Sequence, residues 1–206
     1  LGTNKVSASL GSIASTGRFI KNGYVTWSLA LPAVVLALTG SALGTRLQLL
    51  IDEKYLQLLL LIVLPVVAFV VLRQRSFPEE PGEISPKKQA AVVLAAALLI
   101  GSYDGFYGPG TGTFLLLIFT RWGKMDVRTA GGNVKVVNLA SGLSSMVTSM
   151  LHGQVFWQLG LIATVASFAG HFVGAGLAIK NGSRIVRPVV LVVLVLLAVK
   201  VLSGLL

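Results

Sequence analysis

The chain has 206 residues, of which 54% are hydrophobic and only 12% are charged, and its formal net charge at pH 7 is +10. Soluble domains carry about twice that share of charged residues. The Lys and Arg residues are dispersed between apolar runs and form no cluster with aromatic side chains, which excludes a nucleic-acid partner. The composition therefore predicts an all-α polytopic membrane protein whose principal surroundings are the lipid bilayer.

Apolar runs separated by helix-breaking residues predict eight helices in chain order. Their ranges are residues 3–20, 25–45, 55–72, 89–100, 113–121, 129–151, 155–179 and 185–206. A helix needs about 20 apolar residues to cross a bilayer, and the runs at 24–45 and 55–72 meet that length. Residues 73–88 are rich in Pro and charge, so they form a predicted aqueous linker between a first membrane repeat at 1–72 and a second at 89–206.

The two parts are predicted to be copies of each other, because a register that carries Lys5 onto Lys135 also carries Trp27 onto Trp157. Duplicated helical halves are typical of secondary transporters. Residues 89–128 have no counterpart before Leu1, so we expect that the first copy of this segment is missing and that the chain is N-terminally truncated. The register also superposes two glycine pairs with the spacing of close helix packing: Gly40 and Gly44 on Gly170 and Gly174.

A glycine-rich segment at residues 102–113 interrupts the apolar stretch 89–119. Its glycines permit left-handed backbone and its proline lacks an amide hydrogen, so the segment predicts a broken or re-entrant helix. If the break lies at mid-membrane, residues 111–113 begin a half-helix whose positive end attracts anions. An extramembrane turn has the same composition, but the apolar run 114–119 after the break is too short to span by itself.

Polar residues follow on the next predicted helix, where Lys135 and Asn138 share one face. An ionisable group inside a membrane segment predicts a functional site, whereas a lysine that reaches the interface would be structural. The first copy repeats the pairing of Asn and Lys as Asn4 and Lys5, which favours the functional interpretation.

Other ionisable groups in the predicted spans are few. Asp104 is an acid in such a span and His171 lies in an apolar helix, so either is a candidate proton carrier, although a packing role is favoured for His171. An intramembrane aspartyl protease needs two carboxylates, and the glycine-rich segment lacks the lysine of a phosphate loop. The chain contains no Cys, and no carboxylate cluster accompanies His152 or His171. We therefore predict no enzyme activity, no cofactor and no metal.

The segment GSYDGFYGPGTGTF at residues 101–114 closely resembles the second-repeat signature of the TauE/SafE family of sulfite exporters, also called four-toluenesulfonate uptake permeases. NVKVVN at 133–138 and GTNK at 2–5 are similar to that family's post-signature helices. The resemblance implies a prokaryotic inner-membrane carrier of sulfite, sulfonates or related organosulfur anions. It also implies that substrate is bound by Tyr103, Asp104, Gly105, Gly108, Pro109, Gly110, Thr111, Gly112, Thr113, Asn133, Lys135, Asn138, Asn4 and Lys5.

Two membrane layouts stay open. If residues 89–121 cross once, the basic clusters near 121–128 and 180–187 face the side opposite the 73–88 linker. If that stretch crosses and returns, both clusters join the linker in the cytoplasm, which obeys the positive-inside rule better and inverts the repeats. The predicted function is secondary transport of a small anion, with a passive anion channel and a structural membrane subunit as alternatives, and no pattern specifies an oligomeric state.

Overall fold

The computed structural model describes residues 2–52 and 77–185, together with residues 55, 65, 188, 189, 192, 195, 196 and 199. The two longer ranges contain the helices α1 (Gly2–Lys21), α2 (Trp27–Gln48), α3 (Pro86–Phe106), α4 (Thr111–Arg121), α5 (Val127–Leu151) and α6 (Trp157–Asn181). No strand occurs among the described residues, and the predicted all-α class is confirmed. The predicted helices at 55–72 and 185–206 lie largely outside the described residues.

Four of these helices, α2, α3, α5 and α6, are long and apolar enough to cross a membrane. Helix α1 is more polar and packs along both α5 and α6. Its buried face carries serines, and these are Ser7, Ser9, Ser12 and Ser15. Because polar groups inside a bilayer need protein or water around them, a serine-rich helix held between two apolar helices is suited to line a polar path.

Helix α3 continues to Phe106, beyond the end predicted at residue 100. Its glycines allow close contact with α2 and do not interrupt the helix. A Cβ at Gly101 would lie 3.0 Å from the Cα of Ala37, and one at Gly105 would overlap the backbone of Ser41. The predicted interruption at 102–113 is therefore shorter in the structure and is confined to residues 107–110 between α3 and α4.

The two glycine pairs of the repeat register have different surroundings. A Cβ at Gly40 would lie 2.8 Å from the Ser102 hydroxyl, and one at Gly44 would overlap the Ser102 carbonyl, so this pair packs directly on α3. For Gly170 and Gly174, no heavy atom of the described residues lies within 4 Å of an added Cβ. The packing role of the second pair stays a prediction.

Helices α3 and α4 form a hairpin that enters and leaves the bundle at the same end. The Gln89 side chain, near the start of α3, donates to the carbonyl of Gly123, just after α4, at 2.7 Å. At the other end of α3 the chain reverses through Gly108 and Gly110, which have φ angles of 96° and 85°. The 11 residues of α4 extend only about 16 Å, roughly half the thickness of a bilayer core.

Helices α1 and α5, which correspond in the predicted repeat register, cross in opposite directions. Late in α1, the Thr16 hydroxyl donates to the carbonyl of Lys135, early in α5, at 3.2 Å. Earlier in α1, Ser9 faces Gly142, which lies later in α5. This antiparallel crossing is what an inverted pair of repeats would produce, and it supports that arrangement as a proposal.

Candidate functional site

A cavity of about 180 Å³ lies where α1, the turn between α3 and α4, α5 and α6 meet. Pockets for drug-sized molecules enclose roughly 300–1,000 Å³, so this cavity has room for a small ion or molecule only. Its wall is formed by Lys5, Ala8, Ser9, Ser12, Asp104, Gly108, Gly110, Thr111, Gly112, Lys135, Asn138, Gly142 and His171.

The carboxylate of Asp104 joins several helices at one edge of the cavity. It accepts hydrogen bonds from Lys5 Nζ at 3.0 Å, Thr111 Oγ1 at 3.2 Å and Ser141 Oγ at 2.5 Å. The Lys5 ammonium also donates to the backbone carbonyl of Asp104. A buried ion pair is tolerated when further hydrogen bonds satisfy its remaining lone pairs. Asp104 therefore links α1, α4 and α5 to the end of α3, and the charge of Lys5 is neutralised.

Lys135 is the second cation on the cavity wall, and its surroundings differ from those of Lys5. The ion pairs of the described residues join Lys5 to Asp104 and Arg128 to Glu79, and neither involves Lys135. His171 lies on the same wall, with its Nδ1 3.2 Å from the hydroxyl of Ser15. Lys135 therefore has no acidic partner among the described residues, and an anion in the cavity would favour its charged form.

Two buried side-chain atoms of the described residues lack a hydrogen-bond partner, namely Ser9 Oγ and Asn138 Oδ1. Both residues line the cavity. A buried polar group without a partner costs about 1–3 kcal/mol, and in folded proteins such groups call for a water, an ion or a ligand. Because both residues line one small space, that space is a candidate site for a polar guest.

Helix α4 begins at the same cavity. Its N-cap residue, Gly110, has left-handed backbone and makes no side-chain capping bond. Amide groups in the first turn of a helix have no intrahelical partner, and Gly112 in that turn lies on the cavity wall. A Cβ at Gly112 would approach the Asn138 side-chain nitrogen to 3.1 Å. The positive end of the helix dipole therefore adds to the field of Lys135.

Some of the predicted site residues are not on this wall but support the turn. The Tyr103 hydroxyl donates to the carbonyl of Pro109 at 2.7 Å, and the Tyr103 ring packs edge-on against Phe114 with centroids 5.8 Å apart. Gly105 contacts α2 through Ser41. The predicted residues that do line the cavity are Lys5, Asp104, Gly108, Gly110, Thr111, Gly112, Lys135, Asn138 and His171.

The remaining predicted residues lie elsewhere. Asn133 is fully buried, accepts from the amide of Thr26 at 3.3 Å and donates to the carbonyl of Thr129 at 2.8 Å, so it joins the start of α2 to α5. Asn4 is exposed, and Thr113 is partly buried in the first turn of α4. None of these side chains contributes to the cavity wall.

Sequence reasoning missed the serines of the cavity. Ser9 and Ser12 follow Lys5 on the wall at helical spacing, and Gly142 faces Ser9 from α5. Residues four and seven positions apart lie on one side of a helix, so the spacing of Lys5, Ser9 and Ser12 carried the signal. Serine is also common on ordinary helix–helix contacts in membranes, which made the pattern uninformative by itself.

A polar cavity that holds two lysines within a bundle of apolar helices defines a multi-pass membrane protein with a path for a small polar molecule. The sequence model of the family described as Sulfite exporter TauE/SafE matches residues 1–201. The chain belongs to that family and is a membrane transporter, not an enzyme.

Relatives include three bacterial proteins that are each named as a probable membrane transporter protein. The Sinorhizobium protein, ORF9, is 29% identical, with 98% of this chain and 77% of its own length covered. The Haemophilus influenzae protein is 28% identical, and the alignment covers 97% of this chain and 78% of the relative. The Escherichia coli K12 protein, YfcA, is 27% identical, and the alignment covers 98% of this chain and 75% of the relative. No solved structure matches the chain significantly.

Proposed function

We propose that the chain is a secondary carrier of small anions, with sulfite, sulfonates and related organosulfur compounds as its substrates, and that the cavity holds the anion. The observation that carries this proposal is that Lys135, Ser9 and Asn138 line one small space, and that Ser9 and Asn138 each have a buried side-chain oxygen without a hydrogen-bond partner. The name of the family supplies the sulfur chemistry, and the positive charge and the hydrogen-bond donors of the wall fit an oxyanion.

Each group has a distinct role in this proposal. Lys135 supplies the charge that attracts the anion, and the Ser9 hydroxyl and the first-turn amides of α4 donate hydrogen bonds to its oxygens. The ion pair of Lys5 with Asp104 fixes the turn that presents α4. The two lysines come from the proposed repeats at 1–72 and 89–206, which the 73–88 linker joins, and a site between repeats is the arrangement expected of a carrier.

Coupling to protons is the second element of the proposal. Asp104 already accepts three hydrogen bonds through its carboxylate, which ties it to a structural role. His171 contacts Ser15 through one ring nitrogen and lies on the wall beside the proposed anion. We therefore favour His171 as the proton carrier, and Asp104 is the less suitable candidate.

Counterflow in proteoliposomes tests the transport class. Vesicles containing the purified chain are loaded with unlabelled sulfite, diluted, and supplied with radiolabelled sulfite outside. A carrier exchanges one ion for the other, so internal sulfite should accelerate entry of the label. Entry that is unaffected by internal sulfite and proceeds at channel-like rates would show a passive anion channel, and an absence of entry would favour the structural-subunit alternative.

A further inference from the structure

The charged groups on the cavity wall leave one net positive charge. Lys5 and Asp104 lie 3.0 Å apart and cancel each other. Lys135 has no acidic partner among the described residues. In the state in which His171 carries no proton, Lys135 is the one uncompensated cation among the described residues of the wall. The site therefore offers a single uncompensated charge to an incoming anion.

We propose that this cavity selects singly charged anions over doubly charged anions of the same size and shape. The inference rests on the proposed function, because it concerns the anion that the same cavity would hold. A monoanion beside Lys135 makes the filled site neutral, whereas a dianion leaves one negative charge in a low-dielectric bundle. Burying an uncompensated charge is costly, so the neutral complex is favoured.

The acceptor groups on the wall add to this selection. Asp104 and Asn138 both line the cavity, and the buried side-chain oxygen of Asn138 has no donor of its own. An anion with negative oxygens on every side would place one of these oxygens next to the acceptor groups of the wall, and the two would repel each other. An anion with one uncharged corner, such as a methyl or hydroxyl group, can turn that corner towards them and keep its charged oxygens towards Lys135 and Ser9.

Methanesulfonate and sulfate form a matched pair of probes for this selection. Both are tetrahedral at sulfur and share three oxygens, and a methyl group in methanesulfonate replaces the fourth oxygen of sulfate. Both keep a constant charge around neutral pH, so titration of the probe does not enter the comparison. Isothermal titration of the purified, detergent-solubilised wild-type chain with each salt measures the two dissociation constants without any variant.

We expect methanesulfonate to bind more tightly than sulfate by at least about tenfold. Equal affinities, or tighter binding of sulfate, would overturn the inference. Lys135→Gln and its charge-conserving control Lys135→Arg separate this failure from failure of the proposed function. If both anions bind equally and Lys135→Gln abolishes both, only the charge selection is wrong. If neither anion binds, or Lys135→Gln changes nothing, the anion site itself is wrong.

Discussion

The ammonium group of Lys5 lies 3.0 Å from the carboxylate of Asp104, joining the start of α1 to the end of α3 inside the helical bundle. Their side chains are only 10% and 12% exposed. Removing one partner of a buried pair leaves the other charge unpaired, which is far more costly than removing both. We therefore expect a single replacement in this pair to destabilise the protein more than a double replacement.

The single replacement Asp104→Asn should lower the free energy of unfolding by about 3–5 kcal/mol, because it leaves the Lys5 charge buried without a counter-ion. The double replacement Lys5→Met with Asp104→Asn should recover part of that loss. Thermal unfolding in detergent, followed by tryptophan fluorescence, measures both. A double variant less stable than the single variant would contradict this role for the pair.

Glycine packing gives a matched test on two corresponding helices. A Cβ at Gly44 would overlap the Ser102 carbonyl and lie 2.8 Å from the Phe106 amide nitrogen, so Gly44→Ala should destabilise the protein by about 1–3 kcal/mol. Gly174→Ala meets no heavy atom of the described residues within 4 Å. It should be neutral or stabilising by up to about 1 kcal/mol, because alanine favours helix. Equal losses for both variants, measured in the same unfolding assay, would refute the assigned packing.

The linker is docked by a carboxylate outside the spanning segments. Glu79 accepts from the Ser183 amide at 2.7 Å and from Arg128 Nη1 at 3.1 Å. Its hydrogen bonds to Ser183, with the nearby charge of Arg128, lower the pKa of Glu79 below the usual 4.5. A lowered carboxyl pKa stabilises the docked form fully above that usual value, and the stabilisation is lost as pH falls through the lowered pKa.

A spin label at Glu83→Cys in the linker should therefore stay immobile above pH 4.5 and gain mobility as the pH falls below it. Adding Glu79→Gln should raise the mobility of the label and remove its dependence on pH, because a neutral amide forms no ion pair with Arg128 and does not titrate. If the label in the Glu79→Gln variant still became mobile only at acid pH, another group would control docking.

Single cysteines test the membrane layout, and the natural chain contains no Cys to interfere. The carbonyl of Lys124 accepts from the Gly82 amide at 2.8 Å, and Arg128 Nε donates to the Ile179 carbonyl at 2.9 Å. These contacts bring the linker, the loop after α4 and the end of α6 to one end of the bundle. The re-entrant layout, with an inverted second repeat, has all three facing the cytoplasm.

Cysteines at Glu83, Lys124 and Lys180 should all react with an impermeant reagent from the cytoplasmic side, and a cysteine at Gln154, at the other end of α5, should react only from outside. Labelling of the Lys124 and Lys180 positions from the side opposite the Glu83 position would restore the single-crossing layout. In the single-crossing layout Gln154 would react from the cytoplasmic side, so its labelling gives an independent second test.

Helical spacing and charge in the sequence singled out the two lysines that line the cavity, because Lys5 and Lys135 are ionisable residues within predicted membrane segments. The course of α3 could not be predicted in the same way. Gly105 reads as a helix breaker locally, and only its contact with Ser41 of α2 shows that it serves close packing. Asn133 likewise resembles a site residue in the sequence, but its side-chain oxygen accepts a hydrogen bond from the amide of Thr26, which is distant in sequence. Such roles depend on contacts between helices that local pattern does not contain.

Sulfite uptake into proteoliposomes by Lys135→Gln tests whether the cavity binds the transported anion. Lys87→Gln is its control, because Lys87 is exposed in the first turn of α3. Both variants remove one positive charge, so the comparison isolates position from net charge. We expect Lys135→Gln to lose at least about tenfold in uptake, because it removes a charged hydrogen-bond donor to the anion. Lys87→Gln should transport like the wild type. Wild-type uptake by a folded Lys135→Gln protein would contradict the anion site proposed for this cavity.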